Sequence, residues 1–89
     1  MKIRFSPDFI KFLKKIKQTD KALTVQVQKQ LKLFQLNPQH PSLRTHKLSG
    51  KMNDRWSISL SKSYRMIYIL LESQEAYFIA IGTHDKVYR

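Results

Sequence analysis

The chain has no cysteine, which removes disulfide staples, thiolate zinc sites and cysteine nucleophiles together and makes a reducing cytoplasm the expected location. It has two glycines, Gly50 and Gly82. No GxGxxG, P-loop or GxSxG can be assembled from them, so nucleotide cradles and serine-hydrolase elbows lack their parts. Long apolar runs are missing too. MIYILL at residues 66–71, which no other apolar run exceeds, is far short of the roughly 20 residues a membrane helix needs. The opening MKIRFSPDF alternates charged with apolar residues and contains no apolar core of signal-peptide length, so secretion by that route is not expected. A soluble protein that does not enter membranes is expected. Acid is scarce: 6 Asp and Glu stand against 17 Lys and Arg, and residues 21–53 contain none. Such a surface suits a polyanion, whether nucleic acid, an acidic protein segment or an anionic membrane face, and charge alone does not choose.

Eighty-nine residues bound the answer to one small domain, 1–89, with one modest core. KIRF at residues 2–5 alternates as a short strand with Ile3 and Phe5 inward. Ser6 then caps a helix that has Pro7 at its first position and Asp8 in its first turn. Phe9, Phe12, Leu13 and Ile16 form its apolar stripe, and Lys11, Lys14, Lys15 and Lys17 give it a basic outer surface. Thr19 or Asp20 caps a second helix with the stripe Leu23, Val27, Leu31 and Phe34, and Asn37-Pro38 stops it. Residues 38–54 carry Pro38, Pro41 and an SGK turn and read as a long ordered loop with room for one short extended piece. From Arg55 the period becomes two, with Trp56, Ile58 and Leu60 on one face and Ser57, Ser59 and Ser61 on a wet one. YRMIYILL and AYFIAIG follow, each after a polar turn, as two buried strands. The expected fold is α+β: a strand, a helical hairpin, then a three-stranded antiparallel meander.

Arg65 is the lone charge in the run from Ser63 to Leu71. Asp54, Glu72 or Glu75 could pair with it, or solvent could receive it; equally, its fork of donors could hold a phosphate on the sheet. His84 follows Gly82 and Thr83 where the last strand runs out, with Tyr88 and Arg89 close behind. An imidazole placed there could carry protons, or be a surface residue without a task. His46, in THKLSGK, is equally a loop anchor or a site residue. Tyr64, Tyr68, Tyr77 and Phe78 could stack on bases, although core packing accounts for most of them. No spacing joins His40, His46 and His84 into a metal site, so neither metal nor cofactor is expected.

Taken together, HKLSGK, RWSISL, YRMIYIL and the terminal IGTHDKVYR resemble the RelE/ParE superfamily, the toxin halves of type II toxin–antitoxin pairs. GTH with an aromatic residue four places after the histidine is similar to the YafQ branch, and YRMIY to the arginine strand of the YoeB and RelE branches. The resemblance implies a RelE-like β-α-α-β-β-β fold and a ribosome-dependent endoribonuclease, an mRNA interferase that cleaves message in the decoding site without metal and is silenced by a cognate antitoxin. It further implies Arg65 on the phosphate, His84 and His46 as proton carriers, and Tyr88 orienting the phosphate or stacking on a base. Lys47, Lys51, Arg55, Lys62, Lys86 and Arg89 would then bind RNA backbone. Its partners would be the antitoxin, mRNA and ribosomal RNA, with operator DNA reached only through the antitoxin complex and no membrane involved.

The chain also departs from that pattern. It has Ser59 and, nearby, Ser63 where the YafQ branch has another histidine and an aspartate, and no acid near Ser42 where the YoeB branch has its glutamate. The identity of the general base therefore stays open. Two other readings belong to different classes: a ParE-like inhibitor of DNA gyrase, against which the GTH tail counts, and a non-catalytic module that only binds an antitoxin.

Overall fold

Ser6 ends the first strand and starts the first helix. Its backbone is extended (φ −69°, ψ 159°), its Oγ accepts the Phe9 N–H at 3.1 Å, and Pro7 sits where a helix needs no donor. A computed structural model describes residues 1–48, 54–72 and 74–83, and there β1 (Lys2–Phe5) runs through this cap into α1 (Pro7–Thr19). Asp20 alone links α1 to α2 (Lys21–Leu36). Its N–H bonds back to the Ile16 carbonyl at 2.7 Å, and its carboxylate accepts the Leu23 N–H at 3.0 Å, so one residue closes one helix and opens the next. Asn37 closes α2 through the Leu33 carbonyl, and a single 3₁₀ turn follows at Pro41–Leu43.

The remaining elements are β2 (His46–Lys47), β3 (Arg55–Ser59), β4 (Tyr64–Glu72) and β5 (Glu75–Thr83). They form one sheet in the order β1-β5-β4-β3-β2. The meander expected from the sequence is β3-β4-β5. To it the chain adds β2, antiparallel at one edge, and β1, parallel to β5 at the other. The expected α+β arrangement of strand, helical hairpin and meander is what the chain adopts.

Both helices cover one face of this sheet. Phe9 and Ile16 of α1, with Leu23, Val27, Leu31 and Phe34 of α2, are buried against Ile58, Met66, Tyr68, Ala76 and Phe78. Phe78 is the hub: its ring centroid lies 5.2 Å from Tyr68, 5.5 Å from Phe34 and 5.8 Å from Phe9. One polar side chain enters this layer with its hydrogen bond made: Gln30 Nε2 donates to the Ser59 carbonyl at 2.7 Å, tying α2 to the end of β3.

Two expectations need correction. Ser57 does not sit on a wet face; it is 0% exposed, and the Arg65 side chain from β4 reaches across to hydrogen-bond it. Nor is β4 buried throughout: Leu70 and Leu71 near its end are 41% and 46% exposed, beyond the reach of the helices. A third feature left no trace in the sequence. Along β5, Phe78 pairs with Tyr68 but Ala80 pairs with Ile67, so Ile79 is an extra residue that reverses which alternate positions face the helices. Ala76 and Phe78 face inward before it. After it Ile81 packs on the core, and Gly82 shares the opposite face with Arg65, its register partner.

Burial in this aromatic layer pushes the Tyr68 phenol up to about 12, since the phenolate would lose its hydration. Below pH ~10 the phenol is neutral whether the chain is folded or unfolded, and it contributes nothing to pH dependence. As pH rises from there toward 12 the unfolded chain ionises first, so stability is lost progressively across that window. Urea midpoints of the unmodified chain and Tyr68→Phe, measured from pH 8 to 12, are expected to run parallel to about pH 10 and then separate, with Tyr68→Phe falling less. Parallel curves throughout would contradict the buried-phenol assignment.

Candidate active site

The face of the sheet away from the helices carries the residues that chemistry could use. Alternation and register place Arg55, Ser57 and Ser59 of β3 there, opposite Ile69, Ile67 and Arg65 of β4. His46 joins them from β2 as the register partner of Ser57. Arg65 lies between Ser59 on one side and Gly82 on the other. Gly82 presents no side chain, so the flank of the guanidinium toward β5 carries no Cβ.

Arg65 is held by two uncharged oxygens. Its Nε donates to Ser57 Oγ at 2.9 Å and its Nη2 to the Arg44 carbonyl at 2.6 Å. Neither Asp54, Glu72 nor Glu75 pairs with it: among the described residues the ion pairs are Arg4–Glu75 at 3.2 Å and Arg55–Asp54 at 3.8 Å. The side chain is thus fixed while no acidic group among the described residues compensates its charge, which is what an anion site requires. Arg44 is in the left-handed region (φ 46°, ψ 51°) as it closes the 3₁₀ turn, and it is the one non-glycine residue with positive φ among those described. That costs about 1 kcal/mol or more for a residue with a Cβ. His40 supports the turn, its Nδ1 accepting the Ser42 N–H at 3.1 Å.

The other sequence candidates separate. His46 is exposed at the edge of the sheet, on the Arg65 face; Ser57 Oγ makes a long hydrogen bond, 3.5 Å, to its carbonyl. Lys47, the next residue, points the other way, its Nζ 5.7 Å from the centre of the Trp56 ring, a cation–π contact. Arg55 is half-buried beside Asp54, and Lys62 is exposed in the turn between β3 and β4. Lys51, His84, Lys86, Tyr88 and Arg89 lie outside the described residues. Of the proposed base-stacking aromatics, Tyr68 and Phe78 belong to the core. A cleft of about 520 Å³ between the 38–45 segment, Trp56, Tyr68 and Leu70 is lined by neither His46 nor Arg65, the candidate catalytic residues among those described.

Sequence reasoning missed Ser57 and Arg44, the two residues that aim Arg65. Ser57 read as one of three solvent-facing serines. Only its register with β4 distinguishes it, and the Arg44 contribution is a backbone carbonyl, which side-chain identity does not announce. Among the described residues no group of three His, Asp or Glu could hold a metal ion, and no helix is long and apolar enough to cross a membrane.

Residues 3–88 match the family described as ParE toxin of type II toxin-antitoxin system, parDE. The chain belongs to the ParE toxin family. No curated protein matches its sequence. Solved structures resemble it closely in fold. The YoeB/ParE toxin from Agrobacterium tumefaciens superposes with a TM-score of 0.80 at 19% identity, covering 94% of this chain and 99% of that one. YafQ from E. coli gives 0.77 at 19% identity, covering 98% and 97%. The toxin in the heterotetrameric YoeB-YefM toxin-antitoxin complex from Staphylococcus aureus gives 0.76 at 20% identity, covering 94% and 97%. At such identities the likeness establishes the fold. This ParE-family chain is therefore a toxin of the RelE/ParE superfamily, and its chemistry rests on its own residues.

Proposed function

We propose that this toxin is a metal-independent endoribonuclease that cuts mRNA in the ribosomal decoding site, restrained by a cognate antitoxin. The observation that supports it most is Arg65, anchored by Ser57 and Arg44 without an ion pair among the described residues, on a face it shares with His46. In the reaction a base removes the proton of a ribose 2′-hydroxyl and O2′ bonds to the adjacent phosphorus. The bond from phosphorus to O5′ breaks, an acid protonates the departing O5′, and a 2′,3′-cyclic phosphate remains. Arg65 offsets the charge that builds on the non-bridging oxygens. His46 and His84 are the proton carriers, and Tyr88 orients the phosphate or stacks on a base. Arg55 and Lys62, with Lys47, Lys51, Lys86 and Arg89, attract RNA backbone through a net charge of +11. The antitoxin is an acidic protein that covers this surface, and operator DNA is reached only through that complex.

A second reading has its own support, because the matching family is named for ParE: a gyrase inhibitor that binds without proton chemistry. Mapping mRNA 5′ ends in a translating extract separates the two. New ends at a fixed position in the decoding site, abolished by His84→Ala and reduced at least ~10-fold by His46→Ala, are expected for acid–base cleavage. Intact message, together with blocked replication in cells, would transfer the function to gyrase.

A further inference from the structure

We infer that Ser57 is a positioning residue, which fixes Arg65 so that only its outer edge, Nη1 and the free N–H of Nη2, meets the scissile phosphate. This rests on the ribonuclease reading for its substrate, and on this structure for its geometry. A guanidinium is planar with five N–H donors. Nε and Nη2 lie along one edge, the edge most often used to grip a carboxylate or phosphate side-on. Here Ser57 takes Nε at 2.9 Å and the Arg44 carbonyl takes Nη2 at 2.6 Å, so that edge is occupied before any substrate arrives. Three N–H groups, two on Nη1 and one on Nη2, make no hydrogen bond to the described residues.

Ser57 suits this task for three reasons. It is wholly buried, so its hydroxyl is not exchanging partners with bulk water. It accepts from Arg65 while donating toward the His46 carbonyl at 3.5 Å, linking the strand that carries the arginine to the strand that carries the histidine. Both anchors are neutral, so they orient the cation without consuming the charge that a carboxylate would neutralise. Alanine at this position keeps the volume nearly unchanged and releases Nε, allowing the fork to swing.

The test is a double-mutant cycle on cleavage of ribosome-bound mRNA, with the Arg65 Nε–H resonance as an independent reading. Ser57→Ala is expected to lower kcat by about 10- to 100-fold with KM within about twofold, as misaimed but still bound groups do. In an Arg65→Ala background Ser57→Ala should cost nothing further, because its effect passes through the arginine. The Nε–H cross-peak, protected in the unmodified chain, should shift and exchange faster in Ser57→Ala, whereas Ser57→Thr, which keeps the hydroxyl, should hold it. Additive losses in the cycle, or an unchanged Nε–H signal, would overturn the assignment. If the unmodified chain cleaves no RNA, the ribonuclease reading fails by itself. The Nε–H comparison then still decides whether Ser57 holds the arginine.

Discussion

Arg65→Ala, expressed without an antitoxin, is expected to permit growth where the unmodified chain arrests it, and to slow single-turnover cleavage of ribosome-bound mRNA by about 10²- to 10³-fold. That is the usual loss when one preorganised donor is removed from a developing oxyanion. Arg65→Lys should recover little of it. Lysine keeps the charge but has no rigid fork, so it cannot bond Ser57 and the Arg44 carbonyl while still facing a phosphate. The substitution also removes a tie between β4 and the turn that holds Arg44, so folding must be checked by far-UV circular dichroism and by capture of the antitoxin. A folded Arg65→Ala chain as toxic as the original removes the arginine from the chemistry, and the ribonuclease proposal with it.

Why this arginine needs anchors follows from where it sits. β4 is the middle strand of the sheet, and a long flexible side chain there loses its rotamer freedom only if something holds it. Hydrogen bonds to a charged donor contribute about 1.5–3 kcal/mol each, enough for two to select one rotamer. The strained backbone at Arg44 fits the same account. A left-handed residue that is not glycine persists where its surroundings fix it, and here its carbonyl bonds a guanidinium and its turn is closed by His40.

The helices and the meander were legible because their signals are local. Ser6 and Asp20 cap within three residues of themselves, and the stripes from Phe9 to Ile16 and from Leu23 to Phe34 repeat at helical spacing. Arg65 was legible as an isolated charge in an apolar strand. What joins distant segments was not. The parallel pairing of β1 with β5 brings Lys2 opposite Glu75, and nothing at either end encodes it. The extra residue at Ile79 sets which face Gly82 shares, although AYFIAIG alternates no differently from an unbroken strand. Ser57 belongs to the same class: its role is created by Arg65, eight residues later, across a register that the sequence does not display.

Phe78→Ala is expected to have the largest effect on stability. The side chain is fully buried and its ring meets those of Phe5, Phe9, Phe34 and Tyr68, so α1, α2, β1 and β4 all lose packing when it is removed. Deleting a core phenylalanine costs about 3–5 kcal/mol, and a domain of this length has a total stability of only about 5–10 kcal/mol. The urea midpoint, followed by Trp56 fluorescence, should fall by roughly half with the slope unchanged. Leu36→Ala, at a position 76% exposed, should change the stability by no more than about 0.5 kcal/mol. Similar costs for the two substitutions would mean that the aromatic layer is not the core. The comparison also separates scaffold from chemistry. Phe78→Ala should lose toxicity in proportion to its unfolded fraction and regain it as the temperature is lowered toward maximum stability, whereas Arg65→Ala should stay inactive at every temperature at which it is folded.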